Sequence, residues 1–124
     1  MKIHHIALTV NSLKESKDFY EKIFGFSVVK FFERKDMGGK ACFMKLGSFT
    51  IELWEFDESA DSDVSDITLK GIRHIAFEVE DLDKCLSLLR SKGLTCTLPV
   101  QGASGHRYSF TKDPNGIPLE LYEK

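Results

Sequence analysis

The sequence contains one short pattern twice, and this repeat is the strongest constraint on the fold. Residues 5–7 read HIA, and the same tripeptide recurs 69 positions later at 74–76. Residues 51–55 read IELWE, and the similar LELYE follows 68 positions later at 119–123. Because independent landmarks share nearly one offset, the sequence predicts two tandem copies of one structural unit.

Each half of the chain is predicted to form a strand, a helix and then two or three strands. Capping residues Ser12 and Asp81 open the two helices, and Gly25 and Gly93 close them. Alternating or β-branched runs predict the strands, with Asp113-Pro114-Asn115-Gly116 as the last turn. The predicted helices are 13–24 and 82–91, and the predicted strands are 3–10, 28–33, 41–46, 49–56, 73–79, 95–99, 107–111 and 117–123.

This order of elements predicts an α+β fold in one domain, residues 1–124. The first module covers about residues 1–56 and the second about 71–124. The acidic, serine-containing segment 57–70 between them is interpreted as a solvated linker, with a lid over a ligand site as the alternative.

Composition excludes several classes of protein. The 124 residues are 42% hydrophobic, which is enough for one compact core. With 17 basic and 19 acidic residues the chain has no electrostatic signature of a nucleic-acid or membrane-surface partner. No apolar run approaches the roughly 20 residues that cross a bilayer. The three cysteines form no C-x-x-C pair, so we expect a reducing, cytoplasmic compartment.

Strand alternation places four ionisable residues on the faces that the helices do not cover. Ile51 and Leu53 flank Glu52, and the second copy repeats this arrangement, so the carboxylates point away from the apolar set. If the two half-sheets curve around one cavity, two imidazoles and two carboxylates converge there. Two such carboxylates repel each other without a cation, which favours a metal site. The predicted ligands are His5, Glu52, His74 and Glu120.

The donor set suits one divalent cation per site. We expect Zn²⁺ or Ni²⁺, with Co²⁺, Mn²⁺ and Fe²⁺ as alternatives. Arg107 is a candidate for binding an anionic group of a substrate, although a surface role is the alternative. Trp54 and Tyr122 share the ligand faces and are candidates for the wall of an apolar pocket, with core packing or an interface as alternatives.

The landmarks together resemble a known family. The motifs that carry the resemblance are HIA at 5–7, FGF at 24–26, HIAF at 74–77, DPNG at 113–116 and LEL at 119–121. In this combination they are similar to those of the vicinal-oxygen-chelate superfamily, which contains glyoxalase I, bleomycin-resistance proteins and extradiol dioxygenases. The chain looks most like its small glyoxalase-like bacterial members. The resemblance implies tandem βαβββ modules whose curved mixed sheets form a metal-centred cleft. That cleft lies within one chain or across a homodimer, and we favour the homodimer.

The resemblance also implies an activity. It points to a metal-dependent lyase or isomerase of the lactoylglutathione lyase type, which transfers a proton on a small substrate that chelates the metal through vicinal oxygens. Glu120 is the first candidate for the base and Glu52 the second. The alternatives are a metal-dependent epimerase, an Fe²⁺ extradiol dioxygenase and a non-catalytic binding protein of the bleomycin-resistance type.

Two departures from glyoxalase I bear on the substrate. Thr9 stands where that family carries an arginine that anchors a glutathione carboxylate, and the sequence WEFD at 54–57 replaces its Asn-Trp-Gly-type stretch. Both differences argue against glutathione but leave the metal site unaffected.

Overall fold

The computed structural model describes residues 1–124 and divides them into two compact units, Met1–Asp61 and Ser62–Lys124. Unit 1 contains β1 (Ile6–Thr9), α1 (Leu13–Phe24), β2 (Ser27–Arg34), a short 3₁₀ turn (Lys35–Met37), β3 (Gly39–Leu46) and β4 (Phe49–Phe56). Unit 2 contains β5 (Ile75–Val79), α2 (Leu82–Ser91), β6 (Val100–Gln101), β7 (Arg107–Lys112) and β8 (Pro118–Glu123). Each unit is a βαβββ module, so the predicted α+β class with tandem modules is confirmed.

The two units share one sheet topology. Each has a four-stranded mixed sheet, in the order β1-β4-β3-β2 in unit 1 and β5-β8-β7-β6 in unit 2. The first strand of each unit runs parallel to the last, and the other pairings are antiparallel. In this parallel pairing Ala7 lies opposite Glu52, and Ala76 lies opposite Glu120. A small residue therefore lies beside each carboxylate.

Both helices begin and end where the sequence predicts. The Ser12 hydroxyl accepts a hydrogen bond from the Glu15 amide at 3.1 Å, and the Asp81 carboxylate accepts one from the Lys84 amide at 2.9 Å. Gly25 ends α1 with a φ of 79°, in the left-handed region. Gly93 follows α2 with a φ of 90°, and its amide donates to the Arg90 carbonyl at 3.0 Å.

One face of each sheet is covered by the helix of its unit. In unit 1, α1 packs on β4 and buries Tyr20, Ile51 and Leu53 completely. In unit 2, α2 packs on β7 and β8 over a core that consists of Leu82, Leu86, Leu89, Leu119 and Leu121. This burial confirms the predicted helix-facing sets in β4 and β8 and leaves the intervening residues on the other face.

Two of the predicted strands begin two or three residues too early, and a third is misplaced. The first strand begins at Ile6 instead of residue 3 and the fifth at Ile75 instead of residue 73, so His5 and His74 lie immediately before their strands. The predicted strand 95–99 is wrong, because the short β6 forms instead at Val100–Gln101. Residues 95–97 do run beside β7, but side chains make much of the pairing: the Thr111 hydroxyl donates to the Thr95 carbonyl, and the Thr97 hydroxyl accepts from the Phe110 amide.

The segment between the last strand of unit 1 and the first strand of unit 2 has no helix or strand. Arg73 holds its end, because the guanidinium donates to the Leu69 carbonyl at 2.8 Å. Neither α1 nor α2 has the length and apolar character that crossing a membrane requires.

A glutamate on the last strand of each unit caps the helix of that unit. Glu55 accepts a hydrogen bond from the Leu13 amide, and Glu123 accepts one from the Leu82 amide, both at 2.9 Å. Lys40 pairs with Glu55 at 2.9 Å. The hydrogen bond from Lys40, followed by that from the Leu13 amide, lowers the pKa of Glu55. The helix is therefore attached to the sheet by a carboxylate as well as by the core.

Replacement of Glu55 by alanine tests this attachment. The Leu13 amide and Lys40 lose their partner, so we expect E55A to lower the free energy of unfolding by about 1 kcal/mol at pH 7. Urea denaturation measures the difference.

The variant E55Q separates the charge from the acceptor. Because the folded pKa of Glu55 lies below the ordinary value of 4.5, the charge stabilises the fold fully above that pH, and its effect is lost as the pH falls through the folded pKa. The stability difference between wild type and E55Q should therefore shrink on acidification below about pH 4.5. A difference that stays constant down to pH 3 would contradict this origin.

Candidate functional site

The pair of His5 and Glu52, which we call the first half-site, lies on the face of unit 1 that the helix does not cover. The Nε2 atom of His5 is 3.7 Å from Oε1 of Glu52, and the two side chains are 33% and 13% exposed. The Nδ1 atom of His5 is 2.8 Å from Nδ1 of His4, within hydrogen-bond distance. His4 thus contacts one nitrogen of the imidazole while the other nitrogen faces the carboxylate.

The second half-site repeats this pair in unit 2. The Nε2 atom of His74 is 2.9 Å from Oε2 of Glu120, and the side chains are 38% and 14% exposed. As in unit 1, the histidine lies just before the first strand and the glutamate lies in the last strand. The two half-sites therefore follow directly from the repeat.

The structure brings the four predicted ligands together as two pairs. No group of three or more His, Cys, Asp or Glu side chains is arranged to hold a metal ion. A single centre with all four ligands therefore stays a prediction.

The geometry of each pair fits two ligands of one cation. Two donor atoms bound at about 2.1 Å from a metal lie about 3.0 Å apart at a right angle and about 3.4 Å apart at a tetrahedral angle. The observed separations of 2.9 and 3.7 Å bracket these values. One imidazole nitrogen and one carboxylate oxygen per unit also suit borderline divalent cations.

Aromatic rings surround the first half-site. Phe43, which pairs with Glu52 across β3 and β4, lies 5.1 Å from the His5 ring. Phe32 contacts both Phe43 and Trp54, at ring separations of 5.1 and 5.4 Å. The face beside this half-site is therefore largely aromatic, and Trp54 lies on it as predicted.

The residues around the second half-site are also aromatic but more polar. Phe110 pairs with Glu120 across β7 and β8 and lies 5.3 Å from the His74 ring. Tyr108 contacts Phe110, and Tyr122 lies against His106 at 5.2 Å.

Sequence reasoning missed Phe43 and Phe110. Both rings contact the histidine of their unit, and both lie opposite its glutamate. The signal was available in the repeat, because the two residues are 67 positions apart and each is followed two positions later by a lysine.

The match to a protein family agrees with this duplicated geometry. Residues 2–121 match the Glyoxalase/Bleomycin resistance protein/Dioxygenase superfamily. The chain belongs to this superfamily. The resemblance inferred from the sequence is thereby confirmed.

Members of the superfamily align with this chain over nearly its full length. The uncharacterized protein YwkD of Bacillus subtilis is 36% identical, over 98% of this chain and 96% of its own length. Methylmalonyl-CoA epimerase of Dictyostelium discoideum is 30% identical, over 99% and 78% respectively. A lactoylglutathione lyase of Neisseria meningitidis is 26% identical, over 100% and 91%.

A solved structure shows the same fold. The glyoxalase family protein from Enterococcus faecalis superposes with a TM-score of 0.90 at 30% identity, covering 98% of this chain and 97% of that protein. The βαβββ pairing described above is therefore an arrangement that this superfamily uses.

Arg107, a candidate for binding an anionic substrate, is engaged in ion pairs. Its guanidinium lies 2.8 Å from Asp83 and 3.4 Å from Glu123, the residue that caps α2. Arg107 is thus the counterpart in unit 2 of Lys40, which pairs with Glu55 in unit 1. These contacts favour the structural interpretation of Arg107.

Neither Cys42 nor Cys85 is an activated nucleophile. Cys42, Cys85 and Cys96 are all free thiols. Burial raises the pKa of Cys42 to about 11, so this thiol is protonated at neutral pH. Burial also raises the pKa of Cys85.

Gly39 makes room for the aromatic face of unit 1. A Cβ atom at this position would lie 2.8 Å from Cε1 of Phe56 and 3.2 Å from Cε3 of Trp54. We expect G39A to displace both rings and to lower the free energy of unfolding by about 1–3 kcal/mol. Because Trp54 is the single tryptophan, its fluorescence emission reports the displacement directly.

The double variant G39A/F56L is the control for this prediction. Removal of the ring that the new methyl group meets should restore part of the lost stability. Emission and stability that are unchanged in G39A would show that the Trp54–Phe56 pair does not occupy this position in solution.

Proposed function

We propose that this protein is a divalent-metal-dependent lyase or isomerase of the glyoxalase I type, active on a small substrate with two adjacent oxygens. The observation that carries the proposal is the duplicated pair of a histidine and a glutamate, accessible to solvent on the uncovered face of each unit. Membership of a superfamily that includes glyoxalases supports the same function.

The metal would be held by His5, Glu52, His74 and Glu120 in one centre. When bound, such a cation acts as a Lewis acid toward the oxygens of the substrate. The Nε2 atoms would supply the nitrogen ligands, since these are the ring nitrogens that face the glutamates in both units. Zn²⁺ and Ni²⁺ are the first candidates for this donor set. We further propose a homodimer as the assembly.

The proton transfer is assigned to a carboxylate of the half-sites. The base must take a proton from a carbon next to a carbonyl group and return it, either to the neighbouring carbon in an isomerisation or to the same carbon in an epimerisation. Glu120 is our first choice and Glu52 the second. No other glutamate lies beside either histidine in the structure.

The surroundings of the half-sites favour a substrate with an apolar body. Phe32, Phe43 and Trp54 line the uncovered face of unit 1, and Tyr122 contributes to that of unit 2. Thr9 supplies no cation, and Arg107 is already paired with two carboxylates. We therefore rank substrates attached to a multiply charged peptide thiol, such as glutathione, below substrates attached to other carrier groups.

An epimerase is the second candidate function. The relative named as an epimerase is slightly more similar to this chain than the one named as a lactoylglutathione lyase. Both reactions use a base and the same pair of chelated oxygens, and an epimerisation also needs a second acid–base group, for which Glu52 would serve, to return the proton to the opposite face of the carbon. The two candidates therefore share the half-sites and differ in the substrate.

Elemental analysis of protein reconstituted with Zn²⁺ or Ni²⁺ tests the metal site. We expect one metal per set of four ligands, and a loss of most of it in both H5A and H74A. H106A is the matched control, because His106 contacts Tyr122 and the Glu123 carbonyl outside the ligand pairs, and it should retain the metal. Reconstituted wild type without metal would overturn the proposal.

Isotope exchange at saturating metal tests the base. NMR in D₂O follows the incorporation of deuterium next to the carbonyl of two probes, a glutathione hemithioacetal and methylmalonyl-CoA. We expect exchange on one probe and a loss of about 10²–10⁴-fold in E120Q. The probe that exchanges distinguishes a lyase from an epimerase, and full exchange by E120Q would remove Glu120 from the role of base.

A further inference from the structure

One difference between the half-sites is a hydrogen bond to the glutamate of unit 1, and from it we infer that Trp54 is a positioning residue that holds Glu52 in place. Glu120 has no equivalent donor. The hydrogen bond itself is independent of the proposed function, whereas its consequence for metal binding rests on that function.

The contact joins the indole edge to the carboxylate. The Nε1–H group of Trp54 donates to Oε1 of Glu52 at 2.5 Å. The same oxygen faces Nε2 of His5. A hydrogen bond to a carboxylate is stronger than one between neutral groups, so it restricts the rotamers of Glu52.

The donor is itself held rigidly. The Trp54 ring stacks on Phe56 at a centroid separation of 5.5 Å with an interplanar angle of 4°, and the edge contact with Phe32 is at 5.4 Å. Gly39 leaves the space that this stack occupies. Ring contacts therefore fix the orientation of the indole that donates to the carboxylate.

Unit 2 lacks this hydrogen bond, although its sequence has an aromatic residue at the equivalent position. Tyr122 stands in the position of Trp54, two residues after the glutamate, but its hydroxyl is 2.9 Å from the Ser104 hydroxyl. The polar contact of Glu120 is with His74. In the structure Glu120 is held by His74, but Nε2 of His74 would be given up to a bound metal, whereas the Trp54 donor would remain on Glu52.

This difference between the units assigns different roles to the two glutamates at equivalent positions. Glu52 is the fixed carboxylate that defines the half-site in unit 1. Glu120 is the carboxylate able to turn toward a carbon-bound proton and back. The choice between the two candidates for the base thus follows from a neighbouring side chain instead of from the glutamates themselves.

The indole NMR signal of metal-free protein tests the hydrogen bond. Since the chain has one tryptophan, a ¹H–¹⁵N spectrum contains one indole signal. We expect its proton to be shifted downfield by the carboxylate and to move upfield in E52Q, while E120Q, the matched change in unit 2, leaves it in place. An indole shift that is identical in wild type and E52Q would overturn the inference.

Metal affinity tests the positioning role. W54F keeps an aromatic ring but removes the donor, and we expect it to weaken metal binding by about 10–100-fold in competition with a chromophoric chelator. Y122F, the matched variant in unit 2, should bind metal within about twofold of wild type, because its hydroxyl contacts Ser104 and not a proposed ligand.

The outcomes separate this inference from the proposed function. Normal metal binding by W54F, with the indole shift confirmed, would refute the positioning role and leave the proposed function standing. If wild type binds no metal, the proposed function fails, and the indole shift alone then decides whether Trp54 holds Glu52.

Discussion

The packing of one helix on one face of each sheet is the interaction on which the rest of the structure depends. It buries Ile51 and Leu53 in unit 1 and Leu119 and Leu121 in unit 2. Because strand residues alternate between faces, this burial forces the intervening glutamate of each strand onto the other side. A register slip of one residue would bury a carboxylate against the helix and expose leucine, so packing specifies the half-sites as strongly as it specifies the fold.

The last strand of unit 1 shows how structural and chemical roles alternate along one chain segment. Its helix-facing residues end with Glu55, which caps α1, and its uncovered residues include Glu52 and Trp54. The strand therefore attaches the helix with one carboxylate and presents a second carboxylate to a ligand. Unit 2 repeats the cap with Glu123 but not the tryptophan contact, so the two units share the framework and differ in the half-sites.

Local patterns were sufficient to predict much of this arrangement. Helix bounds followed from caps such as Ser12, and the position of Glu52 and Glu120 on the uncovered faces followed from strand alternation and the repeat. Contacts between strands distant in sequence were not predictable in the same way. The contact of Phe43 with His5 depends on how β3 pairs with β4. The ion pairs of Arg107 with Asp83 and Glu123 likewise join side chains on three different elements. Whether the two pairs share one metal depends on packing beyond either module, which no periodicity encodes.

X-ray absorption spectroscopy of the metal-loaded protein tests the shared centre most directly. The scattering from imidazole rings counts the histidines bound to each metal, independently of activity. We expect two imidazoles per metal, with oxygen donors completing the shell. One imidazole per metal, with two metals for each set of His5, Glu52, His74 and Glu120, would show that the half-sites act separately and would contradict the single centre.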